Sequence, residues 1–188
     1  MEKTKMENKL YTLLVYSENI AGILNQITAV FTRRQVNIES LNVSASSIEG
    51  VHKYTITAWS VPDQIEKITK QIEKKIDVVK AKFYTDDQLF IQETGLYKLS
   101  TQVVLENPEV SRIIRRYDAN FTEVNPTYVA VMKSGMTEDI VSMYHALNEF
   151  GCVLQYTRSG RIAITRSTEE EVSAFLDQQE KDNEDRKR

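Results

Sequence analysis

The apolar run LYTLLVY, Leu10 to Tyr16, suits a central strand covered on at least one face. After the loop SENIAG, Ile23, Leu24, Ile27, Val30 and Phe31 fall at i, i+1, i+4, i+7 and i+8, which is one face of a helix. Arg33 and Arg34 then place positive charge where it suits the end of the helix dipole. The period next becomes two: Glu39, Leu41, Val43 and Ala45 alternate with Ser40, Asn42, Ser44 and Ser46. Gly50 turns the chain, and Tyr54, Ile56 and Ala58 alternate with Lys53, Thr55, Thr57 and Trp59, so the pair reads as a hairpin. Pro62 and Asp63 open a second helix with Ile65, Ile68, Ile72 and Ile76 inward, and DVVKAKFYT supplies a last strand. The order is βαββαβ.

The same order recurs from Gly95. LYKLSTQVV reads as a strand, and Asn107-Pro108-Glu109 starts a helix with Val110, Ile113, Ile114 and Tyr117 on one face. NFTEV and YVAVM form a hairpin around Asn125-Pro126. Residues 136–150 form a helix with Ile140, Met143, Tyr144, Leu147 and Phe150 inward, and CVLQYT and RIAIT close the unit around Ser159-Gly160. The expectation is an α+β chain of two tandem ferredoxin-like units: a domain over 1–85, a linker over 86–94, a second domain over 95–167, and a charged tail over 168–188, helical and then disordered. The halves share architecture and little sequence.

Composition narrows the possible functions. The chain has 188 residues, enough for two domains of this size. Net charge is −3, but Thr168 to Arg188 alone holds eight acids and four bases, which leaves the rest at +1. A near-neutral body gives no electrostatic reason to expect nucleic acid or an anionic membrane as partner. The apolar stretches are strand-sized and MEKTKMENK has no signal-peptide core, so a cytoplasmic location is expected, in keeping with a single cysteine, Cys152.

Candidate chemistry is sparse. His52 and His145 lie in different repeats without further ligands at metal spacing, and no phosphate loop, dinucleotide fingerprint or nucleophile elbow is present. Neither catalysis nor a metal or cofactor in this chain is expected. The SENIAG loop remains. The first N–H groups of a helix lack intrahelical partners and attract a carboxylate, so the backbone of Ala21, Gly22 and Ile23 could hold one while Asn19 offers a donor and an acceptor. A plain turn that starts a helix close to its sheet accounts for the same residues.

The stretch ENIAGILNQITAVFTRRQVNIESLNV, residues 18–43, resembles the ACT domain that opens the small regulatory subunit of acetolactate synthase, also called acetohydroxyacid synthase. That family reads E-N-x-P-G-V-L-S-R-I followed by L-F-S-R-R-G-F-N-I-E-S-L, and NIESL at 37–41 is its most specific piece. YTRSGRIAITR, 156–166, is similar to the family's second signature. Ala21 stands where proline is usual, and Gln35 where glycine is usual, a strained exchange if that position has positive φ.

The resemblance implies a non-catalytic subunit that stimulates a separate catalytic subunit carrying thiamine diphosphate, magnesium and FAD, and that confers feedback inhibition by valine or another branched-chain amino acid. It further implies a homodimer through ACT domains, with an effector held between protomers. Asn19, Ile20, Ala21, Gly22, Ile23 and Leu24 of one chain would face Asn37 and Ile38 of the other. The second repeat would contact the catalytic subunit. A tandem-ACT regulator of transcription is the rival reading; NIESL and TRSG favour the synthase.

Overall fold

The computed structural model describes residues 7–168, which form two compact units: one runs to Phe90 and includes the return from Ala163, and the other spans Ile91–Ile162. The tail, 169–188, and the helix expected in it lie outside the described residues.

The first unit is built from β1 (Lys9–Glu18), α1 (Ile23–Arg33), β2 (Ile38–Ala45), β3 (Val51–Ser60), α2 (Pro62–Glu73) and β4 (Val78–Tyr84). Its antiparallel sheet has the order β2-β3-β1-β4. The apolar run occupies an inner strand, and every residue from Tyr11 to Ser17 is buried. Leu13 and Val15 join Ile23, Ile27, Val30 and Phe31 of α1 and Ile68 and Ile72 of α2 in one core. Pro62 sits in the first turn of α2, where its missing N–H costs nothing, and Asp63 suits the positive end of the helix dipole.

Two inward positions expected from spacing turn out to be exposed. Leu24 is 41% exposed, and Ile76 is 95% exposed because α2 ends at Glu73. The Lys75 N–H to Ile72 O bond, 2.9 Å, tightens that last turn and takes Ile76 out of the helical register.

The alternation in β2 is broken as well. Ile38 pairs with Ala58 and Ser40 with Thr57, so Glu39 is an extra residue on its strand, a β-bulge. Beyond it Leu41 opposite Ile56 faces the core, while Val43 is 39% exposed and Glu39 and Ala45 are exposed. The bulge lets Ile38 and Leu41, three apart, both pack on the core.

After a short 3-10 turn at Asp86–Gln88, the second unit is drawn from β5 (Leu89–Ser100), α3 (Thr101–Glu106), α4 (Pro108–Arg116), β6 (Asn120–Val124), β7 (Tyr128–Gly135), α5 (Thr137–Asn148) and β8 (Val153–Arg158). β9 (Ile162–Thr165) pairs with β5. The order β6-β7-β5-β8 repeats that of the first sheet. Residues 86–94, expected as a linker, are thus structured, and residues 101–104, expected as the end of a strand, lie in α3. Ser100 is the switch point, and Asn107-Pro108 separates two short helices because proline starts a helix but cannot continue one.

Gly95 lets α5 approach β5: a Cβ there would lie 2.6 Å from Ile140 Cγ2. Tyr97, beside it, donates its hydroxyl to Ile140 O at 2.7 Å. Leu99, Val110, Ile114, Val131, Met143 and Leu147 fill the core.

Candidate functional site

Glu18 ends β1 and Ile23 begins α1, leaving residues 19–22 to turn the chain. Asn19 N–H donates to Gly50 O at 3.1 Å, which ties the loop to the β2–β3 turn. Ile20 N–H reaches Glu18 O, and Ile23 N–H reaches Ile20 O at 3.3 Å. Gly22 takes the N-cap position at φ 90° with no side-chain cap, and its carbonyl accepts the first helical bond from Gln26. A Cβ on Gly22 would meet nothing within 4 Å, so the glycine is required by its left-handed backbone and not by crowding.

Among the described residues, the N–H groups of Ala21, Gly22, Leu24 and Asn25 have no hydrogen-bond acceptor. The amide of Ile23, expected to help hold a carboxylate, is already engaged by Ile20. Of the three amides expected to be open, Ala21 and Gly22 are, while Leu24 and Asn25 take the place of Ile23 at the positive end of the dipole. Asn19 is exposed, as are Ile20 and Leu24, at 43% and 41%.

Asn37 and Ile38 lie at the other end of α1. Eleven helical residues separate the two groups by about 16 Å along the axis, so one chain does not bring them together. The helix closes with Gln35 N–H to Thr32 O at 3.0 Å and Val36 N–H to Phe31 O at 3.1 Å, and Gln35 stands at φ 55°. The strain expected for a non-glycine residue at position 35 is present. Beside this turn is a cavity of about 290 Å³ whose wall includes Thr28, Thr32, Asn37 and Ile38.

The second unit lacks the open loop. β5 ends at Ser100 and α3 begins at Thr101 with no residue between them. Thr101 N–H donates to Thr127 O at 3.4 Å and its hydroxyl to Asn125 O at 2.7 Å, so the β6–β7 turn holds the first residue of that helix.

The second signature has a structural role that sequence reading did not assign. Arg158 Nη1 lies 2.9 Å and Arg161 Nε 3.6 Å from the carboxylate of Glu93, which is 2% exposed and also accepts from Thr137 at the start of α5. The signal for Glu93 was present in the sequence: Leu89, Ile91, Glu93, Gly95, Tyr97 and Leu99 alternate along β5, and all six are buried. Ser159 closes the same corner, exchanging its N–H and hydroxyl with the backbone of Thr94.

Cys152 is buried and donates to Leu147 O at 3.2 Å; burial pushes its thiol pKa up, away from thiolate character. His145 is exposed against Tyr144. No group of three metal-ligating side chains occurs among the described residues, and none of their helices is long and apolar enough to cross a membrane.

Two family models match in tandem: the acetohydroxyacid synthase small-subunit-like ACT domain over residues 13–80, and the small subunit of acetolactate synthase over 92–167. The chain belongs to the acetolactate synthase small-subunit family. The first match spans the open loop and NIESL, and the second spans the Glu93–Arg158–Arg161 cluster. Among relatives in this family, the acetolactate synthase small subunit of Bacillus subtilis is 29% identical over 167 residues, 88% of this chain and 95% of that protein. A putative acetolactate synthase small subunit of Mycobacterium tuberculosis is 29% identical over 161 residues, 86% of this chain and 95% of its own. The fold agrees with the crystal structure of the small subunit from Thermotoga maritima, with TM-score 0.77 at 20% identity over 86% of this chain and 99% of that one.

Proposed function

We propose that this chain is the regulatory, non-catalytic subunit of an acetolactate synthase, stimulating a separate catalytic subunit in the cytoplasm and making it sensitive to a branched-chain amino acid, with valine the first candidate. The catalytic partner would carry the thiamine diphosphate, magnesium and FAD. The observation that carries the effector reading is the strand-to-helix loop with four unengaged N–H groups around Gly22. Those groups suit the carboxylate of an amino acid, and Asn19 suits its polar head.

Because Asn37 and Ile38 lie at the far end of α1, a single chain offers two half-sites. A homodimer that sets the 19–24 loop of one protomer against Asn37 and Ile38 of the other would complete the pocket. A ligand held there has differential affinity for protomer arrangements, which is the requirement for coupling to activity elsewhere. The second unit, whose first helix follows its strand without a loop, is assigned to contact with the catalytic subunit.

The test combines calorimetry on the full chain with valine, leucine and isoleucine and an inhibition assay of the complex reconstituted with the catalytic subunit. Wild type is expected to bind and to confer inhibition. Asn19→Ala should weaken both, and Gly22→Asp, which adds a negative charge among the free amides, should abolish them. Variants indistinguishable from wild type would overturn the assignment of this loop.

A further inference from the structure

Between the end of α1 and the outer side of α2, the first unit carries a groove of about 400 Å³ lined by Arg34, Lys67, Lys70, Gln71 and Lys74, four cations and no acid. Arg34 is half-buried and held in place: its Nε and Nη2 donate to Gln71 Oε1 at 3.2 and 3.1 Å, and its carbonyl accepts from the Gln64 amide at 2.9 Å. A guanidinium has five N–H donors, so three of them stay open. Lys67 and Lys70 each donate to an acid one turn back, Asp63 at 2.6 Å and Glu66 at 2.5 Å. Such exposed pairs are weak and screened, and each ammonium keeps two further donors. Lys74 is exposed and has no partner among the described residues. Lys67, Lys70 and Lys74 follow at intervals of three and four, a row of about 10 Å along one side of α2 and its C-cap.

The sequence holds one segment of matching charge. Residues 169–185 contain eight acids and a single base, Lys181, and they lie beyond the family match, which ends at residue 167. The chain approaches this segment from the first unit. Lys53 Nζ donates to Ala163 O at 2.6 Å, and Arg166 donates its N–H to Gln88 O and its Nε to Leu89 O, both at 3.0 Å. Gln88 comes just after β4, and α2 and β4, joined by residues 74–77 and packed on each other, run in opposite directions. The segment therefore departs at the end of the unit where α2 begins. Seventeen extended residues reach at most about 56–61 Å, and a unit of about 90 residues has a radius of gyration of only about 12 Å.

We propose that residues 169–185 lie along this row in their own chain, with their carboxylates on Lys67, Lys70, Lys74 and the open N–H groups of Arg34. Tethering supplies the acids at about millimolar effective concentration, and several weak contacts made together hold where one would not. The outer side of α2 is then closed to other acidic partners.

The experiment records amide correlation spectra of the isotope-labelled full chain carrying a nitroxide at Gln178→Cys; Cys152, the only native cysteine, is buried and leaves the new thiol to take the label. The amide signals of residues 67–74 should broaden and should recover when the nitroxide is reduced. They should recover equally at about 1 M salt, where the Debye length is about 3 Å. Combined Lys67→Gln, Lys70→Gln and Lys74→Gln should abolish the broadening with helical dichroism unchanged, whereas Arg115→Gln with Arg116→Gln, exposed on α4, should leave it intact. If the lysine variant does not fold, conversion of the eight tail acids to their amides should abolish the broadening instead. Spin-labelled chains without isotope, mixed with isotope-labelled chains without the nitroxide, should leave α2 sharp; broadening there would put a second copy's tail in the groove and overturn the proposal. Signals of α2 that ignore the nitroxide, or that shift only when the catalytic subunit is added, would overturn it as well.

Discussion

Gln35 and Asp118 are the two non-glycine residues with positive φ, at 55° and 53°, among the described residues. Each lies just past a helix, and each is held by the same pair of bonds: Asp118 N–H to Arg115 O and Ala119 N–H to Ile114 O repeat the closure seen at Gln35 and Val36. The left-handed region costs an ordinary residue about 1–2 kcal/mol, and glycine's extra unfolded-state freedom returns about 0.4–1 kcal/mol of that. Gln35→Gly should therefore stabilise the protein by about 0.5–1 kcal/mol, read as a rise in urea midpoint at unchanged slope. Position 35 was legible in the sequence because the family pattern has glycine there. The bulge at Glu39 was not: a period of two runs through NIESLNVSAS without visible interruption, and only pairing with β3 shows that Ile38 and Leu41 share a side.

Element boundaries were legible where proline or glycine marks them and obscure where composition is mixed. Pro62 and Pro108 open helices as expected, but nothing in LYKLSTQVV marks the change at Ser100, because Thr and Val favour a strand and tertiary packing overrides that preference here. The stretch 86–94 was read as a linker because the second repeat was taken to begin near Gly95, yet Glu93 and Gly95 share one strand and are placed by what they meet: two arginines in one case, α5 in the other. Gly95→Ala would drive a methyl group into Ile140 and force α5 off the sheet. The expected cost is about 1–3 kcal/mol, seen as a lower urea midpoint. In the candidate site, the loop amides followed from general helix chemistry. The engagement of Ile23 by Ile20 did not, since it depends on the backbone angles of a four-residue turn.

Across the whole chain, two sheets with the same strand order came out of a repeat in periodicity alone, despite low similarity between the halves. The second unit concentrates groups that resist ionisation. Burial raises the pKa values of the Cys152 thiol and of the Tyr97 and Tyr156 phenols. A raised folded-state value favours the protonated form, so the associated stability is intact below the unfolded pKa and is lost as pH rises beyond it. Unfolded thiols titrate near about 8.5 and phenols near about 10. Stability should be level with respect to these groups through pH 8, begin to fall above about 9 and fall more steeply above about 10. A pH series of chemical unfolding, with near-ultraviolet dichroism of the tyrosines as probe, checks this; constant stability to pH 11 would contradict it.

The different starts of α1 and α3 bear on counting. A tandem repeat invites the assumption of two ligands per polypeptide, one for each ACT-like fold. A four-residue loop precedes α1, whereas α3 follows β5 directly, with Thr101 bonded to Asn125 and Thr127. On the effector reading proposed above, room between strand and helix exists only in the first unit, so saturation is expected at one equivalent per chain; a titration that saturates at two would overturn that reading.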